Sequence, residues 1–355
     1  MRGHCLPLSS PGELWRRSPF NGRRSRHGIS LLEVLISMFV LLFGLLGVAS
    51  MIVAGRHELA AASKIDHAAS VGRAAFRDLK IRGFLDPSRW NTFDEAGNVT
   101  TLWQPDPVNH PGRPFLIKGI RLDRFAAVID PLGLAAPGGS FSRSFPANMS
   151  SGLYMVRIAP YPLSNPATTY LVADLAFRSS DDLVFSSNSS NRDLPPTQQM
   201  LDGVKRASLG NYSWMATLKT DPSMSALDTL VTVSVAVFYK RNLSNPSAAE
   251  GRTTSVVMGG GGNFEFTLPI HPAANKPWTV TPGQWIMLSG TVGTGNHFQW
   301  YRVLAADQVH GRTQLVTLAG PDWNPNTTNT TAYLIDNVIA VYEKHMRLEL
   351  PADAY

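Results

Sequence analysis

Residues 29–54 read ISLLEVLISMFVLLFGLLGVASMIVA, a run with a single charged side chain, Glu33. At about 1.5 Å of rise per residue, a helix of this length crosses a hydrocarbon core of about 30 Å. Arg23, Arg24 and Arg26 stand immediately before the run, and Arg56 is nearly alone after it. Basic residues collect on the cytoplasmic side of a membrane helix, so the N-terminus is expected in the cytoplasm and everything after Gly55 outside it. A secretory signal fits less well, since its apolar region runs only about 7–15 residues and an early acid is unwelcome there. The expectation is a single-pass protein of the inner (cytoplasmic) membrane, with its C-terminal domain periplasmic or extracellular.

That segment divides the charge of the chain. The formal net charge is +6, with 32 basic and 26 acidic side chains. Residues 1–28 hold Arg2, Arg16, Arg17, Arg23, Arg24 and Arg26 against Glu13. The rest is close to neutral, so the basicity describes a leader and no nucleic-acid contact is inferred for the folded part. The only cysteine, Cys5, falls in the same leader. A product starting at Ile29 has no thiol for a disulfide or a metal, and its large domain must be held by its apolar core.

A carboxylate inside a membrane span costs a few kcal/mol unless it is compensated, so Glu33 reads as a functional residue with a partner to be found. The string Arg26-His27-Gly28, followed by Ile29-Ser30-Leu31-Leu32-Glu33-Val34-Leu35-Ile36, resembles the cleavage and methylation signature of type IV prepilins. Basic stretch, glycine, apolar first mature residue, acid at the fifth mature position and apolar run all coincide. The resemblance covers about the first 55 residues. It implies cleavage after Gly28 by prepilin peptidase, N-methylation of the new Ile29 amine, and assembly with other pilin or pseudopilin subunits on an inner-membrane assembly platform. Two departures stand out: Ile29 replaces the commoner phenylalanine, and Ser50 occupies a position where many major pilins have proline.

Cleavage after Gly28 would create an ammonium at Ile29, about one helical turn from Glu33. In a filament core of low dielectric, that ammonium and the Glu33 carboxylate of a neighbouring subunit compensate one another and set axial register. Gly28 and Ile29 are thus the expected processing residues, and Glu33 the assembly residue.

The helix is expected to continue well beyond the lipid. Leu59, Ala62, Ile65, Ala69, Gly72, Phe76 and Leu79 recur at spacings of three and four, with charges mostly elsewhere. Gly83 and then Asp86-Pro87 end the pattern, giving a helix over 29–82 with its membrane part at about 29–54. After Pro87 come short extended runs broken by Gly, Pro, Asn and Asp, so the fold class is α+β: a long helix packed on a mainly antiparallel β-rich domain spanning 83–355. Candidate strands are 115–122, 125–129, 153–159, 169–177, 212–218, 230–240, 264–268, 284–289, 298–305, 314–318 and 333–342. In 230–240 both alternating faces are apolar enough to be partly buried. Ser179 to Pro196 reads as a long exposed loop and Gly259 to Gly262 as a turn or hinge. A boundary near 245–262 would split the domain in two; one extended sheet is the alternative.

Catalytic signatures are missing from the exported part: it has no HExxH, GxSxG, P-loop or GxGxxG string. His110, His271, His297, His310 and His345 have no ligand spacing to one another. Asp94-Glu95-Ala96-Gly97-Asn98 and Ser180-Asp181-Asp182 cluster oxygens without EF-hand spacing, and turn chemistry accounts for both. No cofactor, metal or enzymatic activity is expected. The leading expectation is a structural filament subunit, a minor pilin or type II secretion pseudopilin, because a mature chain of this size is long for a densely tiled major pilin. The alternative is an enzyme or binding protein held by a signal anchor, which requires a polar cleft in the β domain.

Overall fold

Ser30 starts the long helix by accepting the Glu33 N–H at both its carbonyl, 3.0 Å, and its hydroxyl, 3.2 Å. A serine that supplies its side chain to a free N–H of the first turn is a favoured N-cap. From there helix α1 runs unbroken over Leu31–Ile81. It closes on Gly83, whose φ of +66° suits a residue without a Cβ, and the Phe84 N–H returns to the Leu79 carbonyl at 3.0 Å. The computed structural model describes residues 30–94, 96–105, 114–116, 120–121, 126–135, 142–145, 153–163, 169, 172–173, 176–178, 183–185, 206–208, 211–220, 230–241, 251–271, 276–292, 295–324 and 327–349.

The chain forms two units, residues 1–59 and 60–355. In the first, the described residues after Ser30 belong to α1, and Leu31 to Val53 are exposed on every face.

In the second unit, the remainder of α1 lies on one face of a six-stranded sheet. With β1 as Ala126–Ile129, β2 Ser144–Phe145, β3 Met155–Ile158, β4 Tyr212–Thr220, β5 Leu230–Tyr239 and β12 Val338–Arg347, the strand order is β12-β5-β4-β1-β3-β2. The β1–β3 pair is parallel and its other neighbours are antiparallel. Between β5 and β12 the chain leaves the sheet and builds a closed barrel. Its strands are β6 Gly251–Gly260, β7 Asn263–Thr267, β8 Trp285–Val292, β9 Gly295–Ala306, β10 Thr313–Ala319 and β11 Thr328–Ile335, in the order β6-β7-β10-β9-β8-β11. Full closure leaves the barrel without an unpaired edge.

Alternation along β5 explains the layering. Val231, Val233, Val235 and Val237 face α1, where Ala68, Val71, Ala75 and Leu79 are buried against them. Ala236 and Phe238 face the other way and meet Met287, Phe298, Trp300 and Tyr333 of the barrel. A strand buried on both sides carries apolar residues at successive positions, as this one does. The barrel interior is a second core of Phe264, Phe266, Ile286, Leu288, Val303, Val316 and Leu334.

Three expectations are corrected. The expected stripe of α1 docks only in its later part: Gly72 and Leu79 are buried and Ala69 and Phe76 half-buried, joined by Ala68, Val71 and Ala75, whereas Leu59 and Ile65 stay exposed at 72% and 60%. Small residues win because the Tyr342 ring occupies the space where a Gly72 Cβ would stand. The described part of 169–177 is helical rather than extended, because Thr169, Ala173 and Phe177 bury one face at intervals of four. The run 333–342 is two strands in different sheets, separated at Asp336-Asn337, where Asn337 takes φ +65° and tolerates it as few residues do.

Strand β6, unforeseen in the sequence, begins within the expected 245–262 boundary, and residues 242–250 lie outside the described residues. Within Ser179–Pro196 the described residues Leu183–Phe185 pair with Arg206–Ser208; the others lie outside the description. The Gly259–Gly262 glycines turn the chain from β6 into β7, with positive φ at Gly260, Gly261 and Gly262.

Candidate processing and assembly site

Of the three expected site residues, Gly28 and Ile29 lie outside the described residues. Glu33 is in the first turn of α1, three residues after the capping Ser30. A negative charge is favoured there by the free N–H groups and the dipole of the helix. The Glu33 side chain is exposed and makes no ion pair among the described residues. Around and beyond it, Leu31, Leu32, Leu35, Met38, Phe39, Leu42 and Leu46 all exceed half exposure, so the segment presents apolar side chains on all sides. Among the described residues one helix, α1, is long and apolar enough to cross a membrane, judged by length and composition. At Gly44 and Gly47 a Cβ would meet nothing within 4 Å among the described residues. Ser50 keeps its hydroxyl off the apolar surface by donating to the Gly47 carbonyl at 2.8 Å.

In the head, the residues weighed for chemistry are scattered. His297 lies beside the Trp323 ring at 5.0 Å, the His310 N–H donates to the Thr313 carbonyl, and His345 Nδ1 is 3.2 Å from Thr232 Oγ1. His110 is outside the described residues, as is the side chain of His271. Asp94 closes its own turn: Oδ1 accepts the Ala96 and Asn98 N–H groups at 2.9 and 2.8 Å. Hydrogen bonds from Asn98 hold that carboxyl below its ordinary pKa. Glu95, Ser180, Asp181 and Asp182 are outside the description. Among the described residues no three His, Cys, Asp or Glu side chains gather to hold a metal.

The seam between sheet and barrel is polar at one end. Lys219 meets Gln299, Gln299 donates to Glu343 at 3.1 Å, Ser234 donates to Glu343 at 3.1 Å, and Trp300 Nε1 donates to Thr217 at 3.1 Å. These groups satisfy each other across the two layers, which suits an interface.

The structure also holds a charge cluster that the sequence reading missed. Asp130 follows β1 and caps the short helix α2, Pro131–Leu134, by accepting the Gly133 N–H at 3.1 Å. Arg241, the second residue after β5, grips its carboxylate in two bonds of 2.7 and 2.6 Å, and Arg157 of β3 lies 3.1 Å away. Side-chain exposures are 0% for Asp130 and Arg157 and 3% for Arg241. Burial pushes the Asp130 carboxyl up, but the two guanidiniums and the bonds from Arg241 and Gly133 outweigh it and hold the pKa below its usual value. Tyr161 is raised by its burial and by the Asp130 charge. Asp130-Pro131 after an apolar run is a readable helix cap, but nothing in the sequence announces which arginines converge on it.

A family of known proteins matches the chain at residues 23–49, the segment that contains Gly28, Ile29 and Glu33; its description is the prokaryotic N-terminal methylation motif. Comparison with proteins of curated function and with solved structures gives no match.

Proposed function

We propose that this chain, which carries a type IV pilin-like prepilin leader, is a low-copy filament subunit of the minor-pilin or pseudopilin kind. The observation that carries the proposal is a coincidence of place. The methylation motif over 23–49 overlaps the part of α1 whose apolar side chains are exposed on every face. Prepilin peptidase removes residues 1–28 after Gly28, and the new Ile29 amine is methylated. Until assembly, α1 anchors the chain in the cytoplasmic membrane with the head outside the cytoplasm; an assembly platform then draws it into the filament. There, lipid is replaced by the helices of neighbouring subunits, and the Ile29 ammonium pairs with Glu33 of a neighbour. An unpaired partner in that medium would be costly, so the pair fixes register. The exported part is read as two subdomains, the helix-backed sheet and the barrel inserted between β5 and β12.

The test is the intact mass of the chain made with and without an active prepilin peptidase. The expected product has lost residues 1–28 and gained one methyl group. Gly28→Val should keep the leader in place. An uncut wild-type chain beside an active peptidase, or an efficiently cut Gly28→Val, would reject the assignment.

A further inference from the structure

Strand β12 is the outer strand of the six-stranded sheet, paired on one side with β5 over Leu230–Val237. The Tyr239 N–H donates to Asn337 and the Lys240 N–H to Asn211, so odd-numbered residues of β5 bond to β12 and even-numbered ones to β4. By the register of the ladder, Ala340, Tyr342, Lys344 and Met346 spend their backbone groups on β5, and Val341, Glu343 and His345 turn theirs to the free edge. No strand pairs with that edge among the described residues. Glu343, Lys344, His345 and Arg347 are exposed.

The neighbourhood is cationic. Helix α1 packs alongside through Gly72 and Tyr342, and on its solvent side Arg73 and Lys80 are exposed with Arg77 between them. None of these three, nor Lys344 or Arg347, makes an ion pair among the described residues. Of the nearby acids, Asp78 pairs with Arg82 at 3.8 Å and Glu343 is bonded to Ser234 and Gln299 on the barrel side, while Glu349 and Asp66 are exposed at the two ends of the patch. Lysine and arginine on an edge repel a like-charged strand, including the same edge of a second copy. They favour a strand of opposite sign.

We propose that the free edge of β12 is a docking site for an extended acidic segment of a neighbouring filament subunit, which adds to the sheet as a seventh strand. Backbone bonds to the residues turned outward hold the segment. Its carboxylates face Arg73, Arg77, Lys80 and Lys344. The identity of the partner as a filament subunit rests on the function proposed above; the edge and its charge do not.

The experiment places a photo-crosslinking amino acid at the exposed Arg347 of the full chain, in cells that assemble the filament, and maps the adduct by mass spectrometry. Expected is an adduct within an Asp/Glu-bearing extended segment of another filament subunit. It should fall at least tenfold in His345→Pro, which removes an outward N–H without breaking the β5 ladder. It should fall several-fold in the charge reversal Arg73→Glu/Arg77→Glu, which keeps the proposal testable if the proline variant does not fold. A lipid or nucleic-acid adduct, an adduct unmoved by the charge reversal, or no adduct would overturn it. The processed mass and the recovery of the chain in the filament fraction are read on the same samples. A chain that is cut and incorporated but not crosslinked rejects the edge alone, whereas an uncut chain rejects the filament reading.

Discussion

Replacing Asp130 by asparagine keeps the shape of the side chain and removes its charge, leaving two guanidiniums buried beside a neutral amide. Arg157 and Arg241 are 0% and 3% exposed, so water cannot take over the lost interaction. Breaking a buried ion pair from one side costs about 3–5 kcal/mol. At about 2–4 °C per kcal/mol for a domain of this size, the thermal midpoint should fall by roughly 6–20 °C. Tryptophan fluorescence of the processed chain in mild detergent reads the transition, since Trp214 and Trp300 lie in the cores on either side of the sheet. Removing Arg241 as well should cost less than the two single effects combined, because the partners are coupled. The sign of the pH dependence follows from the depressed pKa. The contribution is fully present above the unfolded value of about 3.9 and is lost only as pH falls through the lower folded value. Acidification from pH 7 to 5 should therefore take nothing from this cluster. A loss below about 1 kcal/mol in Asp130→Asn, or additive losses in the double variant, would refute the cluster as a coupled unit.

Glu33→Ala should be cut and methylated normally but recovered less in sheared filaments; unchanged recovery would reject charge pairing as its role. Gly72→Ala places a Cβ against the Tyr342 ring, so unfolding should be easier by about 1–3 kcal/mol, with partial rescue by Tyr342→Ala in a denaturant titration. Tyr333, buried and donating to the Leu153 carbonyl at 2.8 Å, has its phenol pushed up to about 12. Its stabilisation is complete below the unfolded value of about 10 and lost as pH rises towards 12. Ultraviolet titration should show one fewer late-ionising phenol in Tyr333→Phe.

The sequence was most informative where one segment met one environment. An uninterrupted apolar run, one acid and a basic flank constrain a lipid-facing helix without help from distant residues, so α1 and its processing motif were legible together. Several long strands of the head were legible too, because a run of apolar residues is a local pattern: β5 displayed both of its buried faces before either partner was known, whereas β6 went unforeseen. Register and partnership were not. Tyr333 to Tyr342 looked continuous, yet Asn337 divides it between barrel and sheet. Thr169 to Phe177 looked extended, yet a four-residue burial period made its described part helical.

What the sequence determined by itself was the N-terminal helix, the leader that precedes it and the β-rich character of the rest, since each is set by composition and period over a short window. What only the tertiary structure decided was which residues of α1 dock, that β5 and β12 are neighbours despite the barrel between them, and that Arg157 and Arg241 meet Asp130. Each of these depends on residues far apart in the chain, and the energy of such a contact exists only once the fold has brought both sides together.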